Sequence, residues 1–170
     1  MKHTILLLLS LLSINTKLKA QNEKDAIKTI EKYVLKIKQD STLKSETVNL
    51  FLSKDKYDEN NLVVYKKAND LLKIEYYEKR GWAGGYEKTF IYVRNSIPVL
   101  VEKEYNEVVT FCADGLPPEK TLFKSKTYIF DWGLNKYKTI YETREHEMLH
   151  FIRTKVEEIN NLATRNEIEE

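Results

Sequence analysis

Two histidines and a glutamate near the C-terminus have residue types and a spacing that can bind a metal ion. The string His146-Glu147-Met148-Leu149-His150 is a literal H-E-x-x-H. On a helix, two imidazoles four residues apart lie one turn above each other and can share a Zn²⁺, and the glutamate between them can act as a general base on metal-bound water. The third histidine of the chain, His3, lies in a segment predicted to be removed. Any histidine chemistry therefore depends on this pair.

The string resembles the active-site motif of the metallopeptidases called zincins over those five residues. A helix is predicted over about 144–163, and its apolar stripe passes through Met148 and Ile159. Both histidines then point to the opposite side, into solvent. The residues just before the string are polar, and no histidine follows His150 as a third ligand. We interpret the histidines as incidental surface residues and expect no metal and no cofactor. A zinc-dependent hydrolase or metallopeptidase stays the alternative function.

Other catalytic residue types are scarce. Cys112 is the only cysteine, so no disulfide can form within the chain, and a small, partly buried apolar role is favoured over that of a nucleophile. The sequence contains no G-x-S-x-G elbow of a serine hydrolase. This scarcity of catalytic residue types favours the interpretation that the protein is not an enzyme.

The first 20 residues have the layout of a secretory signal peptide. A short basic start precedes the uncharged apolar run Thr4–Ile14, and a small residue, Ala20, stands before Gln21. A membrane helix needs about 20 apolar residues, so this run is too short to span. We therefore expect export to the periplasm or the medium, and no stable membrane span after the signal is removed.

The charge balance changes when the signal is removed. Residues 1–20 carry three of the 28 Lys and Arg residues and no acid, which leaves 25 basic and 26 acidic side chains and a net charge of −1. A near-neutral, mixed surface lacks the basic footprint of a nucleic-acid-binding protein. The expected partner is therefore an unknown ligand or protein and not a nucleic acid, and the oligomeric state stays open.

The rest of the chain reads as a single domain over residues 21–163, followed by a frayed acidic tail at 164–170. A helix is predicted over about 23–39, because apolar residues recur there at steps of three and four and Asn22 can cap it. Three segments then have hairpin patterns, in which aromatic and β-branched strands flank polar turns; they begin at Leu62, Thr89 and Thr127. The predicted fold is α+β: an N-terminal helix packed on a curved antiparallel β-meander of about six strands, closed by a C-terminal helix.

The alternation within these strands separates two kinds of side chain. One face is aliphatic and suits a core under a helix. The other face is aromatic and suits a partly wet surface or a shallow groove, unless the C-terminal helix or a loop covers it. Trp82 stands in the glycine-rich connection Arg80–Gly85, where it is either exposed or folded back on a strand. The candidate binding residues are Tyr92, Tyr128, Phe130 and Trp82.

The chain is similar to small uncharacterised exported proteins of Bacteroidota. The residues that carry this resemblance are the Leu-rich signal that ends at Ala20-Gln21 and the aromatic hairpins Thr89–Glu102 and Thr127–Glu142. The resemblance implies export and no particular activity. The favoured function is a non-enzymatic periplasmic or secreted binding or interaction module that uses the aromatic face of its sheet.

Overall fold

A computed structural model describes the backbone of residues 2–49, 60–80, 85–109, 119–143, 145 and 147–165. The chain divides into two compact units, Met1–Lys38 and Gln39–Glu170. Among the described residues, no helix is both long and apolar enough to cross a membrane.

Helix α1, Lys2–Gln39, makes up the described part of the first unit, and its last residue is the first of the second unit. It ends at Gln39, where the predicted helix ends, but it begins far upstream of residue 23. The leucine-rich segment before residue 20 is itself a good helix former, and no proline or glycine interrupts the backbone there. Asn22 therefore lies inside α1 and does not cap it.

The second unit is built on a seven-stranded antiparallel sheet in which each strand pairs with the next along the chain. The strands are β1 (Lys44–Asn49), β2 (Asn60–Lys67), β3 (Asp70–Arg80), β4 (Gly85–Arg94), β5 (Ile97–Val109), β6 (Glu119–Asp131) and β7 (Lys136–Tyr141). The six strands predicted from the three hairpins correspond to β2–β7. The additional strand is β1, which is too polar to show a strand pattern by itself.

The turns of the three hairpins use backbone conformations that glycine or asparagine favours. In the β4–β5 turn, Asn95 and Ser96 both have positive φ angles, 51° and 62°, as a two-residue type I′ turn requires. In the β6–β7 turn, Asn135 has a φ of 53° and the Asp131 carboxylate accepts a hydrogen bond from the Leu134 N–H (2.9 Å). The predicted meander of α+β class, with a helix before it and a helix after it, is confirmed.

The C-terminal helix α2 spans Arg153–Arg165, and a single 3₁₀ turn, Glu147–Leu149, precedes it. The prediction that this helix begins near residue 144 was wrong. Leu149 is fully buried and Phe151 packs against the core. On an α-helix, side chains two positions apart point about 200° away from each other, so these two could not both face the sheet. The chain therefore leaves the helical path until residue 153.

The aliphatic face of the sheet forms the core, and α2 covers it. Inward-facing residues of the strands pack against three residues of α2, Val156, Ile159 and Ala163. The alternating aliphatic residues of the predicted hairpins are all buried there: Leu62, Val64, Ile91, Val93 and Ile129. Ile152 has the spacing of a residue on the apolar stripe of the predicted helix, but it is 50% exposed because it precedes the helix. The helix thus covers the aliphatic face and not the aromatic one.

Candidate functional site

The aromatic face is the side of the sheet that carries the rings of β2, β3, β4 and β6 opposite to the α2 core. Strand pairing brings its residues into rows across the sheet. Tyr92 of β4 stands opposite Leu100 of β5, and Leu100 stands opposite Tyr128 of β6. All three side chains are buried, with at most 2% of their surface exposed. The centre of the aromatic face is therefore closed to solvent.

Tyr92 is held at this centre by a hydrogen bond as well as by packing. Its hydroxyl donates to Glu102 Oε2 at 3.0 Å. Burial, followed by the charge of Glu102, raises the pKa of the Tyr92 phenol well above its ordinary value of 10.0. The phenol therefore stays protonated and keeps donating its hydrogen bond at alkaline pH.

The four candidate binding residues have different positions. Tyr92 and Tyr128 are buried, so their rings present no accessible surface. Phe130 is half-buried and lies at an irregularity in the pairing of β6 with β7, between Ile129 and Asp131. Trp82 lies outside the described residues, as does Cys112.

Half-exposed rings of the aromatic face lie beside this buried centre, and lysines bridge them. The first group, which we call the Lys73 cluster, contains Tyr65, Lys73, Glu75 and Phe90. Lys73 Nζ lies 4.5 Å from the centroid of the Tyr65 ring and 5.1 Å from that of Phe90. Its charge is paired with Glu75 Oε2 at 3.3 Å, and the same oxygen accepts a hydrogen bond from the Tyr65 hydroxyl at 3.1 Å. Burial and the Glu75 carboxylate raise the pKa of Tyr65.

A second group, the Lys88 cluster, contains Tyr77, Tyr86 and Lys88. The two rings are 5.7 Å apart between centroids and tilted by 30°. Lys88 Nζ lies 5.9 Å from the Tyr77 ring and 5.2 Å from the Tyr86 ring. All three residues are half-buried and stand on β3 and β4 near the connection that contains Trp82. This cluster combines ring surface, a cation and phenolic hydroxyls.

Sequence reasoning did not select the rings of the Lys88 cluster. Tyr76 and Tyr77 are adjacent, so composition alone does not show which ring belongs to the core: Tyr76 is 6% exposed on the α2 side, and Tyr77 faces the other way. The alternation of side chains along β3 could have shown this, because Tyr76 lies on the same face as Ile74 and Tyr77 on the opposite one. Tyr86 follows a glycine pair, which hid the start of its strand.

The described part of the H-E-x-x-H segment does not form an α-helix. Glu147–Leu149 is a 3₁₀ turn and His150 follows it as a bend, while His146 lies outside the described residues. The His150 side chain is 52% exposed, with Nε2 3.4 Å from Glu145 Oε1. The described residues, which omit His146, contain no group of three or more His, Cys, Asp or Glu side chains that could hold a metal ion.

Buried polar side chains of the sheet hold this turn through hydrogen bonds to its backbone carbonyl groups. Lys103 Nζ donates to the carbonyl oxygens of Met148 and His150, both at 3.3 Å. Ser125 Oγ donates to the Leu149 carbonyl at 3.2 Å. The charge of Lys103 is paired with the almost fully buried carboxylate of Glu87, also at 3.3 Å. These contacts give the buried polar groups the partners that buried charges need, so their role is structural.

A shallow depression of about 380 Å³ lies along α2. Its lining comes from the helix itself: Thr154, Glu157, Glu158, Asn161 and Leu162. The Glu157 carboxylate accepts a hydrogen bond from Arg153 Nε at 2.8 Å, an ordinary pair one helical turn apart. The depression therefore brings together no catalytic group of side chains.

No protein-family model, curated protein or solved structure matches this chain.

Proposed function

We propose that the protein is an exported, non-enzymatic binding or interaction module that contacts its ligand or protein partner through the aromatic face. The observation that supports this most is the pair of half-exposed clusters around Lys73 and Lys88. Each places two aromatic rings and a cation side by side on rigid, paired strands. Binding sites built on strands hold their side chains more precisely than sites on loops.

The chemistry of this surface favours a partner that has both flat apolar parts and hydrogen-bonding groups. Tyrosine supplies ring surface together with a hydroxyl, and such residues are enriched where proteins bind one another. Lysine and carboxylate groups stand between the rings in the Lys73 cluster and can orient polar groups of the partner. The proposed contact surface is therefore amphipathic.

The buried residues of the same face have a supporting role in this proposal. Tyr92 and Tyr128 lie beneath the accessible surface, and the bond between Tyr92 and Glu102 holds a carboxylate next to Phe90, which stands opposite Glu102 in the strand pairing. The rings that contact the partner are then Tyr65, Phe90, Tyr77 and Tyr86. Phe130 extends the candidate surface, and Trp82, which lies outside the described residues, stays a candidate from the sequence alone.

A ligand titration followed by NMR tests the proposal. Soluble oligosaccharides and short peptides serve as the two probe sets, and we expect shift changes confined to the aromatic face with one of them. Tyr77→Ala combined with Tyr86→Ala should then weaken that binding at least about tenfold, as the loss of two ring contacts predicts. Tyr105→Ala is the matched control, because Tyr105 is a half-buried tyrosine on the other face of the sheet, opposite the buried Glu87. Equal losses in both variants would overturn the proposal.

Export and metal content have separate tests. N-terminal sequencing of the protein recovered from outside the cytoplasm should begin at Gln21, because the small Ala20 precedes it. Metal analysis of the same material addresses the zinc-hydrolase alternative, since a catalytic site retains its ion through purification. Tightly bound zinc near one equivalent would favour that alternative, and less than about 0.1 equivalent would remove it.

A further inference from the structure

The outer edge of strand β7 carries exposed apolar side chains, whereas the described residues 44–48 of β1, at the opposite edge, show none. Tyr137 and Ile140 of β7 are 43% and 40% exposed, and Leu134 in the preceding turn is 66% exposed. In β1, at the opposite edge, the side chains of residues 44–47 are polar and Val48 is buried. Among the described residues, no strand pairs with the outer side of β7. An edge strand whose outer backbone groups have no strand partner can pair with a strand of another chain.

The direction of the backbone groups of β7 follows from its pairing with β6. The Glu142 N–H donates to the Lys124 carbonyl at 2.9 Å, so the backbone groups of residues 142, 140 and 138 point towards β6. Those of Tyr137, Thr139 and Tyr141 point outward. The 2.9 Å contact between the hydroxyls of Thr127 and Thr139 agrees with this, because side chains approach closely in a non-hydrogen-bonded pair.

We propose that this edge binds a second copy of the same chain, with β7 pairing antiparallel to β7 across a two-fold axis at Thr139. The outward-pointing N–H and C=O groups of one copy must bond to those of the other. Only registers in which odd-numbered residues stand opposite odd-numbered residues are therefore possible. In the register centred on Thr139, Tyr137 stands opposite Tyr141 of the second copy and Lys138 stands opposite its Ile140. Each pair occurs twice, as a two-fold axis demands.

Charge and the length of the pairing together decide between this register and its neighbours. With the axis at Thr139, Lys136 stands opposite Glu142 of the second copy, so opposite charges meet at both ends of the interface. The Glu142 carboxylate is also paired with Lys126 of its own chain and would be shared between the two lysines. Moving the axis to Lys138 places two lysines face to face, and moving it to Tyr137 places Lys136 opposite Lys138. Moving it to Ile140 places Lys138 opposite Glu142, which is also an opposite-charge pair, but aligns only residues 139–141 within the strand. The axis at Thr139 is therefore the longest pairing without like charges.

The first experiment measures mass in solution. Sedimentation equilibrium of the purified protein from about 1 to 100 µM should show a dimer, a range that covers typical affinities of modest interfaces. Lys136→Glu should weaken the dimer at least about tenfold, because it places two carboxylates opposite each other. Adding Glu142→Lys to that variant exchanges the two charges and should restore the dimer in part, because this change also removes the ion pair of Glu142 with Lys126. A monomer throughout this range would overturn the inference.

The second experiment fixes the register. In a Cys112→Ser background, Thr139→Cys should form a disulfide-linked dimer under mild oxidation, because hydrogen-bonded partners have Cα atoms about 5.5 Å apart. Ile140→Cys is the matched control and should not link, since it stands opposite Lys138 and not opposite itself. Rapid linking of the control without linking at position 139 would overturn the register. Thr139→Pro should leave the chain folded and make it monomeric, because the N–H that it removes points away from β6.

Discussion

The two faces of this sheet come from the same strands but bury their side chains differently. On the face under α2, aliphatic residues meet a helix and form a continuous core. On the aromatic face, a buried row (Tyr92, Leu100 and Tyr128) lies beside half-exposed rings that lysines bridge. The alternation along a strand therefore indicates the face of the sheet to which a side chain belongs. It does not indicate how deeply that side chain is buried.

Strand β4 shows this difference within three residues. Ile91 is fully buried in the α2 core, and Tyr92 on the other face is 1% exposed. Phe90 shares the face of Tyr92 but is half-buried, because its neighbours across the sheet are Glu75 and Glu102 while Tyr92 stands between Lys73 and Leu100. Cross-strand neighbours thus decide which aromatic rings remain available for binding.

The largest expected effect is on the aliphatic face. Ile91→Ala should lower the free energy of unfolding by about 4 kcal/mol, because it removes buried atoms and leaves a cavity at the centre of the core. Urea denaturation measures the change. The matched variant Phe90→Ala should lower the free energy of unfolding by clearly less, although phenylalanine is larger than isoleucine. Equal losses would contradict the different depths of the two faces.

The next effect concerns the charged pair that lies under the 3₁₀ turn. Lys103→Met should destabilise the fold by about 3 kcal/mol, since it deprives the buried Glu87 carboxylate of its closest cation and leaves Lys155 Nζ at 3.7 Å. Combining it with Glu87→Gln should recover part of the loss in the same denaturation assay. A double variant that is less stable than the sum of both single changes would show that the pair is not the cause.

A smaller effect is expected from the buried phenol of the aromatic face. Tyr92→Phe removes the 3.0 Å hydrogen bond to Glu102 and should cost about 1.5 kcal/mol at neutral pH. The raised pKa of Tyr92 adds a pH dependence: the unfolded phenol ionises above pH 10 while the folded one stays protonated, so stability is full below pH 10 and falls above it.

The contribution of Tyr92 to that pH dependence is the difference between the wild type and Tyr92→Phe, because the pKa of Tyr65 is raised as well. Between pH 10 and 11, the wild-type free energy of unfolding should fall more steeply than that of Tyr92→Phe, by up to about 1.4 kcal/mol per pH unit. Chemical denaturation at several pH values gives both slopes. Parallel slopes would mean that the folded Tyr92 ionises with the unfolded one.

The smallest effect lies at a solvent-exposed part of the aromatic face. Glu104 Oε1 is 3.0 Å from Lys124 Nζ, and this hydrogen bond raises the pKa of the lysine. Because both side chains are partly in solvent, Glu104→Gln should cost about 0.5 kcal/mol at low salt and nothing measurable in about 1 M salt. A loss of more than about 1.5 kcal/mol that persists in salt would place this pair with the buried groups.

Periodicity predicted the strands and their core side well. The period of two in Leu62 and Val64, and again in Ile91 and Val93, depends only on how a pleated strand points its side chains, so it can be read without knowing the partners. The start of α2 could not be read in this way. The period of Met148, Ile152 and Val156 fits a helix, but the burial of Leu149 against the sheet overrides it.

The existence of an aromatic face was predictable from the sequence. It follows from the alternation within the strands, and Tyr65 and Phe90 lie on it. The burial of Tyr92 and Tyr128 could not be derived from their own strands, because it depends on Leu100 of β5 between them. The Lys88 cluster depends likewise on the register between β3 and β4.

The sequence by itself determined the class of fold, the succession of hairpins and the core side of β2 and β4, because these follow from local backbone geometry and the spacing of side chains along one segment. Only the tertiary structure decided which rings are closed to solvent, where the last helix begins and which edge of the sheet is apolar. Those properties depend on neighbours that strand pairing brings from distant parts of the chain.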